Sequence, residues 1–117
     1  MQDDPRQSAR ASDAIEAAAR NDEDLFIGPV VLCELIWVLE AAYKFPRGTI
    51  GDVVQQMLET EQFEIEPRLA WQALADHRTT TADFVDCLLG RMNQSAGCAK
   101  TLTFDRRLKG LEPFHLL

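Results

Sequence analysis

Short strand-like segments alternate with helical ones along this chain, and that alternation constrains its fold more than any other feature. LFIGPV (25–30), QFEIEP (62–67), KTLTFD (100–105) and EPFHLL (112–117) read as strands, being brief and either largely apolar or alternating apolar with polar. Segments of helical character lie among them. VVLCELIWVLEAAY (30–43) is mostly apolar, and TIGDVVQQMLET (49–60) follows the break at KFPRG. RLAWQALADH (68–77) and ADFVDCLLGRMNQS (82–95) precede the third strand. Such a pattern predicts an α/β fold, with a short parallel sheet covered by helices on both faces.

Local signals place the ends of these elements. A helix through SARASDAIEAAAR opens the chain, with Pro5 in its first turn and Asp3 or Asp4 as its cap. Pro29 starts the second helix. Thr79, Thr80 and Thr81 are expected to cap the helix at 82–95, and Gly97 to end it. No repeat, low-complexity stretch or linker interrupts the 117 residues, so residues 1–117 read as a single domain.

Composition narrows the setting. No apolar run approaches the ~20 residues that span a bilayer, so no membrane association is expected. The acidic, polar N-terminus does not read as a signal peptide. Cys33, Cys87 and Cys98 show no CxxC spacing and leave one thiol over in any pairing, as expected of free thiols in a reducing cytoplasm. A net charge of −7 argues against tight non-specific binding of nucleic acid by the bare protein. It suits a site that concentrates cations, or a basic partner.

Several carboxylates stand out. On a helical wheel of residues 30–43, Glu34 is flanked by Val31 and Val38 on one side and by Trp37 and Ala41 on the other. It is therefore expected within an apolar stripe, where a carboxylate needs a cation, a hydrogen-bond partner or a proton. A structural ion pair with an arginine would meet that need as well as a metal would. Glu40, about 120° away, reads as an ordinary solvated acid. Asp83 and Asp86, three apart, lie opposite the apolar face of Phe84, Val85, Leu88, Leu89 and Met92. Acids are common in first helical turns. Here, though, the small residues Cys87 and Gly90 suggest that something approaches this face. Asp105 closes the strand KTLTFD, and Glu34 follows the end of LFIGPV; ligands of open parallel sheets bind outside the carboxyl ends of strands. Asp105 can equally be a turn residue before Arg106.

Taken together these acids form a cluster of hard oxygen donors without His or Cys, which points to Mg²⁺ or Mn²⁺ rather than zinc. A few carboxylates around such an ion are a usual arrangement for phosphodiester hydrolysis. The alternative is a structural α/β interaction domain whose acids form salt bridges.

VLCELIWVLE (31–40), ADFVDCLLG (82–90) and GCAKTLTFDRRL (97–108), in this order and spacing, resemble PIN-domain ribonucleases, and more narrowly the VapC toxins of bacterial toxin–antitoxin pairs. The resemblance covers essentially the whole chain. It implies a PIN-like three-layer α/β/α sandwich with an acidic pocket for Mg²⁺ or Mn²⁺. It also implies endonucleolytic cleavage of RNA, often tRNA, a cognate inhibitory antitoxin and a homodimer. By motif, Glu34, Asp86 and Asp105 match the family's metal-binding acids. Asp83 matches an additional acid of this subgroup, and Thr103 the small hydroxyl residue that orients water or the neighbouring acid.

The departure is at the front. The family opens with an apolar strand ending in an aspartate that ligates metal, and neither Asp3 nor Asp4 replaces it. The expectation is thus a sheet without its first, central strand and a metal site short of one acid. A misassigned start codon, favoured because the remaining sequence is undegraded, a truncated chain or a natural loss would each produce this. Such a fragment could be inactive and act by binding an antitoxin or dimer partner.

Other residues carry weaker signals. Arg106, Arg107 and Lys109, just past Asp105, are candidates to hold the RNA backbone, or form a solvated loop. Arg47, Arg91 and Lys44 are weaker candidates for phosphate contact. Trp37, Trp71 and Phe63 read as core or dimer-interface residues. Cys33 and Cys87 read as packing residues, and His77 and His115 are assigned no chemistry.

Overall fold

A computed structural model describes residues 5–117. Asp3 and Asp4, expected to cap the first helix, lie outside the described residues. The element order is α1 (Pro5–Arg20), β1 (Leu25–Phe26), α2 (Pro29–Ala41), α3 (Arg47–Glu59), β2 (Phe63–Glu64), α4 (Pro67–Thr79), α5 (Phe84–Ser95), β3 (Thr101–Thr103), a 3₁₀ turn η1 (Arg106–Leu108) and β4 (Phe114–Leu116). Pro29 and Pro67 open α2 and α4, where a missing N–H costs nothing and φ is preset. Beyond α5 the chain turns through Gly97 at φ 95°, which glycine adopts without strain. The Gly97 and Cys98 N–H groups there donate to the carbonyls of Gln94 and Asn93.

All strand pairing is parallel. Leu25 stands opposite Phe63 and Phe26 opposite Glu64 in the β1–β2 pair. Thr101, Leu102 and Thr103 stand opposite Phe114, His115 and Leu116 in the β3–β4 pair. The strands therefore form two separate two-stranded pairs among the described residues. Strands of two or three residues form few ladder bonds, so helix packing must position the pairs.

That packing centres on α4, which lies against both α3 and α5. The core runs through Leu32 and Ile36 of α2, Ile50 and Val54 of α3, Ala73 and Leu74 of α4, Phe84 and Leu88 of α5, and Leu108 of η1. Burying each large aliphatic side chain is worth about 1.5–3 kcal/mol. Ala70 and Ala73, fully buried, let the helices approach closely. No helix among the described residues is long and apolar enough to cross a membrane.

Two expectations are corrected here. The threonines do not cap α5. Thr79 and Thr80 donate their hydroxyls back to the carbonyls of Ala75 and Asp76, closing α4, and Asp83 takes the cap position of α5. Thr80 Oγ1 also accepts from the N–H of Ala82, which fixes the turn between the helices. The approach to the small residues of α5 comes from within the chain. A Cβ on Gly90 would stand 3.0 Å from the Phe114 ring and 3.3 Å from Pro113, so β4 and the residue before it occupy that face. Cys87 and Cys33 are buried as packing residues, and burial pushes the Cys87 thiol up to about 11.

Candidate functional site

The site is built where β3 ends and α5 begins. Thr103 Oγ1 accepts from the N–H of Asp105 at 3.0 Å, bending the chain out of β3. Asp105 then caps η1, its carboxylate accepting from the N–H of Arg107 at 2.9 Å. The same carboxylate receives the Arg107 guanidinium, with Nη2 at 2.7 Å from Oδ2 and Nε at 3.1 Å from Oδ1. These bonds hold the Asp105 carboxyl below the usual carboxylate range.

Asp83 meets the same guanidinium from the other side, its Oδ2 lying 3.2 Å from Nη1. It sits at the cap position of α5 without a side-chain cap bond. Asp86, one turn further along α5, is half-buried. Its carboxyl is pushed up first by burial, then by the negative charges of Asp83 and Asp105, with Arg107 opposing. From α2, Glu40 faces the same cleft, and its carboxyl is pushed up by burial and by Asp83. The cleft walls are completed by Trp37, Ala41, Val85 and Leu89. Four carboxylates from three distant parts of the chain thus share one opening with a single guanidinium among its lining residues.

The segment that carries Asp83 is pinned from behind. His77 of α4 is 2% exposed. Its Nε2 lies 3.1 Å from the carbonyl of Arg47, and its Nδ1 3.1 Å from Arg47 Nη2. Nε2–H donates to that carbonyl, while Nδ1 lies within hydrogen-bond distance of both Arg47 Nη2 and, at 2.9 Å, the Ala82 carbonyl. Arg47 Nη2 also donates to the carbonyls of His77 and Ala82. One arginine therefore ties the start of α3, the end of α4 and the residue before Asp83.

Glu34 departs from expectation. It is exposed, as are its wheel neighbours Val31 and Trp37, so no apolar stripe encloses it. It is not among the residues lining the cleft, though it lies one turn before Trp37 on α2. Glu40, read as solvated, is the α2 acid that lines it. The signal for Glu40 was present: a wheel centred on Trp37 puts Glu34, Glu40 and Ala41 all within about 60°. The core reading of Trp37 is likewise set aside, since it is 56% exposed. Phe63 packs against the core, whereas Trp71 is exposed. Arg47 and Arg91 turn to protein partners rather than outward. Arg91 forms a two-bond pair with Asp76 at 2.7 and 2.9 Å.

The donor chemistry fits a hard divalent cation, because Asp86 already carries the repulsion that a cation would relieve. Among the described residues, however, no three His, Cys, Asp or Glu side chains are drawn together as a ready-made metal site. The acids share a cleft without converging on a point.

The PIN domain family model matches residues 1–112. The chain belongs to the PIN-domain family. This PIN domain is also 31% identical over 97 residues to the VapC ribonuclease of Aquifex aeolicus (strain VF5), a match covering 82% of this chain and 72% of that protein. No solved structure matches it significantly. The helix-dominated α/β architecture with short parallel strand pairs agrees with the PIN-like fold expected from the sequence. The acid-lined cleft of this PIN domain is assembled from α2, the start of α5 and the end of β3.

Proposed function

We propose that this chain is a VapC-type endoribonuclease toxin of a type II toxin–antitoxin pair, dependent on Mg²⁺ or Mn²⁺. The observation that carries the reading is the convergence of Asp83, Asp86, Asp105 and Glu40 on one cleft of a PIN domain similar to a VapC ribonuclease. Asp86 and Asp105 would hold the ion, with Asp83 and Glu40 adding negative charge from the cleft wall. Glu34, exposed on α2, is a further acid available to it. When bound, the ion supplies polarisation of the phosphoryl oxygens and a lowered pKa for the attacking water.

The chain's own residues have distinct tasks in this reading. Thr103 holds the turn that presents Asp105. The Arg47–His77 tie sets the position of Asp83 and, through it, the first turn of α5. Arg106 and Lys109 are exposed on and just after η1, where a phosphate backbone entering the cleft can meet them. The substrate proposed is RNA, with tRNA as the first class to try. A basic segment of an antitoxin suits the acidic cleft and the net charge of −7. A homodimer working in the cytoplasm completes the proposal.

The test is cleavage of a panel of RNAs, tRNA included, by this chain with Mn²⁺, beside Asp86→Asn. Mn²⁺-dependent cleavage that disappears in the folded variant is the expected result. Equal cleavage by both chains, or no Mn²⁺ binding in calorimetry by a folded protein, would refute the reading.

A further inference from the structure

The guanidinium of Arg107 occupies the space between two of the acids proposed to face the metal. It bonds Asp105 through Nη2 at 2.7 Å and Nε at 3.1 Å, and Asp83 through Nη1 at 3.2 Å. Its charge also offsets the repulsion at Asp86 and Glu40. A cluster of carboxylates without a metal needs a counter-ion, and here a side chain of the same cleft provides it. This accounts for two observations together. The acids share an opening, yet no three metal-ligating side chains among the described residues are gathered as a finished site.

We propose that Arg107 is a resident counter-ion that a divalent cation displaces from Asp83 and Asp105, and that its guanidinium then binds an RNA phosphate at the same cleft. The inference rests on the metal-dependent nuclease reading above. Three features favour the exchange. The Arg107 side chain is 65% exposed, so its ion pairs are worth little individually and release it cheaply. A divalent ion brings twice the charge to the Asp105 oxygens and to the field of Asp83 beside them. Finally, Asp105 stays oriented when the guanidinium leaves, because the backbone N–H of Arg107 remains bonded to Oδ1 at 2.9 Å. The released head group stays tethered next to Asp105, and a planar guanidinium suits a phosphate with two parallel bonds. Arg107 is thereby a positioning residue whose partner changes during loading.

The experiment compares the unaltered chain with Arg107→Gln. Mn²⁺ affinity is measured by calorimetry. RNA affinity is measured by anisotropy with a 2′-O-methyl oligonucleotide, Ca²⁺ replacing Mn²⁺. Removing the competitor tightens Mn²⁺ binding about three- to tenfold. Removing the phosphate partner weakens RNA binding about threefold or more. The opposite signs matter, since a merely structural loss weakens both. In the unaltered chain, the Arg107 Nε–Hε NMR signal is expected to shift when Mg²⁺ is added, a readout independent of the variant's folding. Unchanged or weaker Mn²⁺ binding by folded Arg107→Gln, an unchanged RNA affinity, or an Arg107 signal blind to Mg²⁺ would each overturn the proposal. If both chains bind Mn²⁺ equally, only the exchange falls. If neither binds it, the metal-dependent reading falls too.

Discussion

Replacing Arg47 by alanine is expected to destabilise this protein far more than its position at the exposed start of α3 suggests. The guanidinium donates to the carbonyls of His77 and Ala82 and lies 3.1 Å from Nδ1 of His77. Hydrogen bonds from a charged donor contribute about 1.5–3 kcal/mol each, and a buried acceptor left unpaired costs about 1–3 kcal/mol. One nitrogen shared among these groups forms less than a full bond to each, and Ala82 and His77 are both buried where water enters poorly. A loss of about 2–4 kcal/mol follows. For a chain of this length that corresponds to a fall in melting temperature of about 10 °C. The assay is thermal and urea unfolding by circular dichroism of Arg47→Ala, His77→Ala and the double variant. Because both residues belong to one network, the coupling in the cycle is expected near 1–2 kcal/mol. The same variant should lose RNA cleavage beyond its stability loss, since Ala82 precedes Asp83. A melting temperature within about 3 °C of the parent, or strict additivity of the two single losses, would refute the reasoning.

The pH dependence of stability provides a second test. Asp86 and Glu40 are pushed up by burial and like charge, so the native state keeps their protons longer and stability falls as pH rises through the raised values. The melting temperature of metal-free Asp86→Asn should therefore match the parent near pH 4, exceed it increasingly above, then hold a constant lead; a constant difference throughout would contradict this. Asp105 has the opposite sign: its carboxyl is depressed by Arg107, so its contribution is present above the ordinary Asp range and disappears as pH falls through the folded value. Asp105→Asn should accordingly narrow its stability gap to the parent in strong acid. Gly90→Val adds two methyls beyond a Cβ already 3.0 Å from Phe114 and should cost about 1–3 kcal/mol in urea unfolding, outweighing the gain from removing a helical glycine.

Much of the architecture was legible from the residues in order. The five α-helices and four strands among the described residues fall in segments read as such from the sequence, although in β1 and β3 the apolar Phe26 and Leu102 are exposed, and η1 was not expected. Proline and glycine marked boundaries through backbone sterics alone, as at Pro29 and Gly97, whereas Pro67, read as the end of a strand, opens α4. Asp83, Asp86 and Asp105, singled out by their places at the start of a helix and the end of a strand, line one cleft.

What the sequence by itself determined is therefore local: element types and order, the helix and strand termini that carry acids, and the hard-oxygen chemistry of those acids. Tertiary structure decided everything that depends on one segment's position against another. It divided the strands into two pairs and brought β4 against Gly90. It turned α2 so that Glu40 and Trp37, rather than Glu34, line the cleft. It joined Arg47 to His77 across thirty residues, a bond for which neither residue's neighbours carry any signal. It also set Arg107 between Asp83 and Asp105. The physical reason is common to all of these. A helix's rotation and a long side chain's partner are chosen by the packing and charge that surround them in space, and those neighbours are distant along the chain.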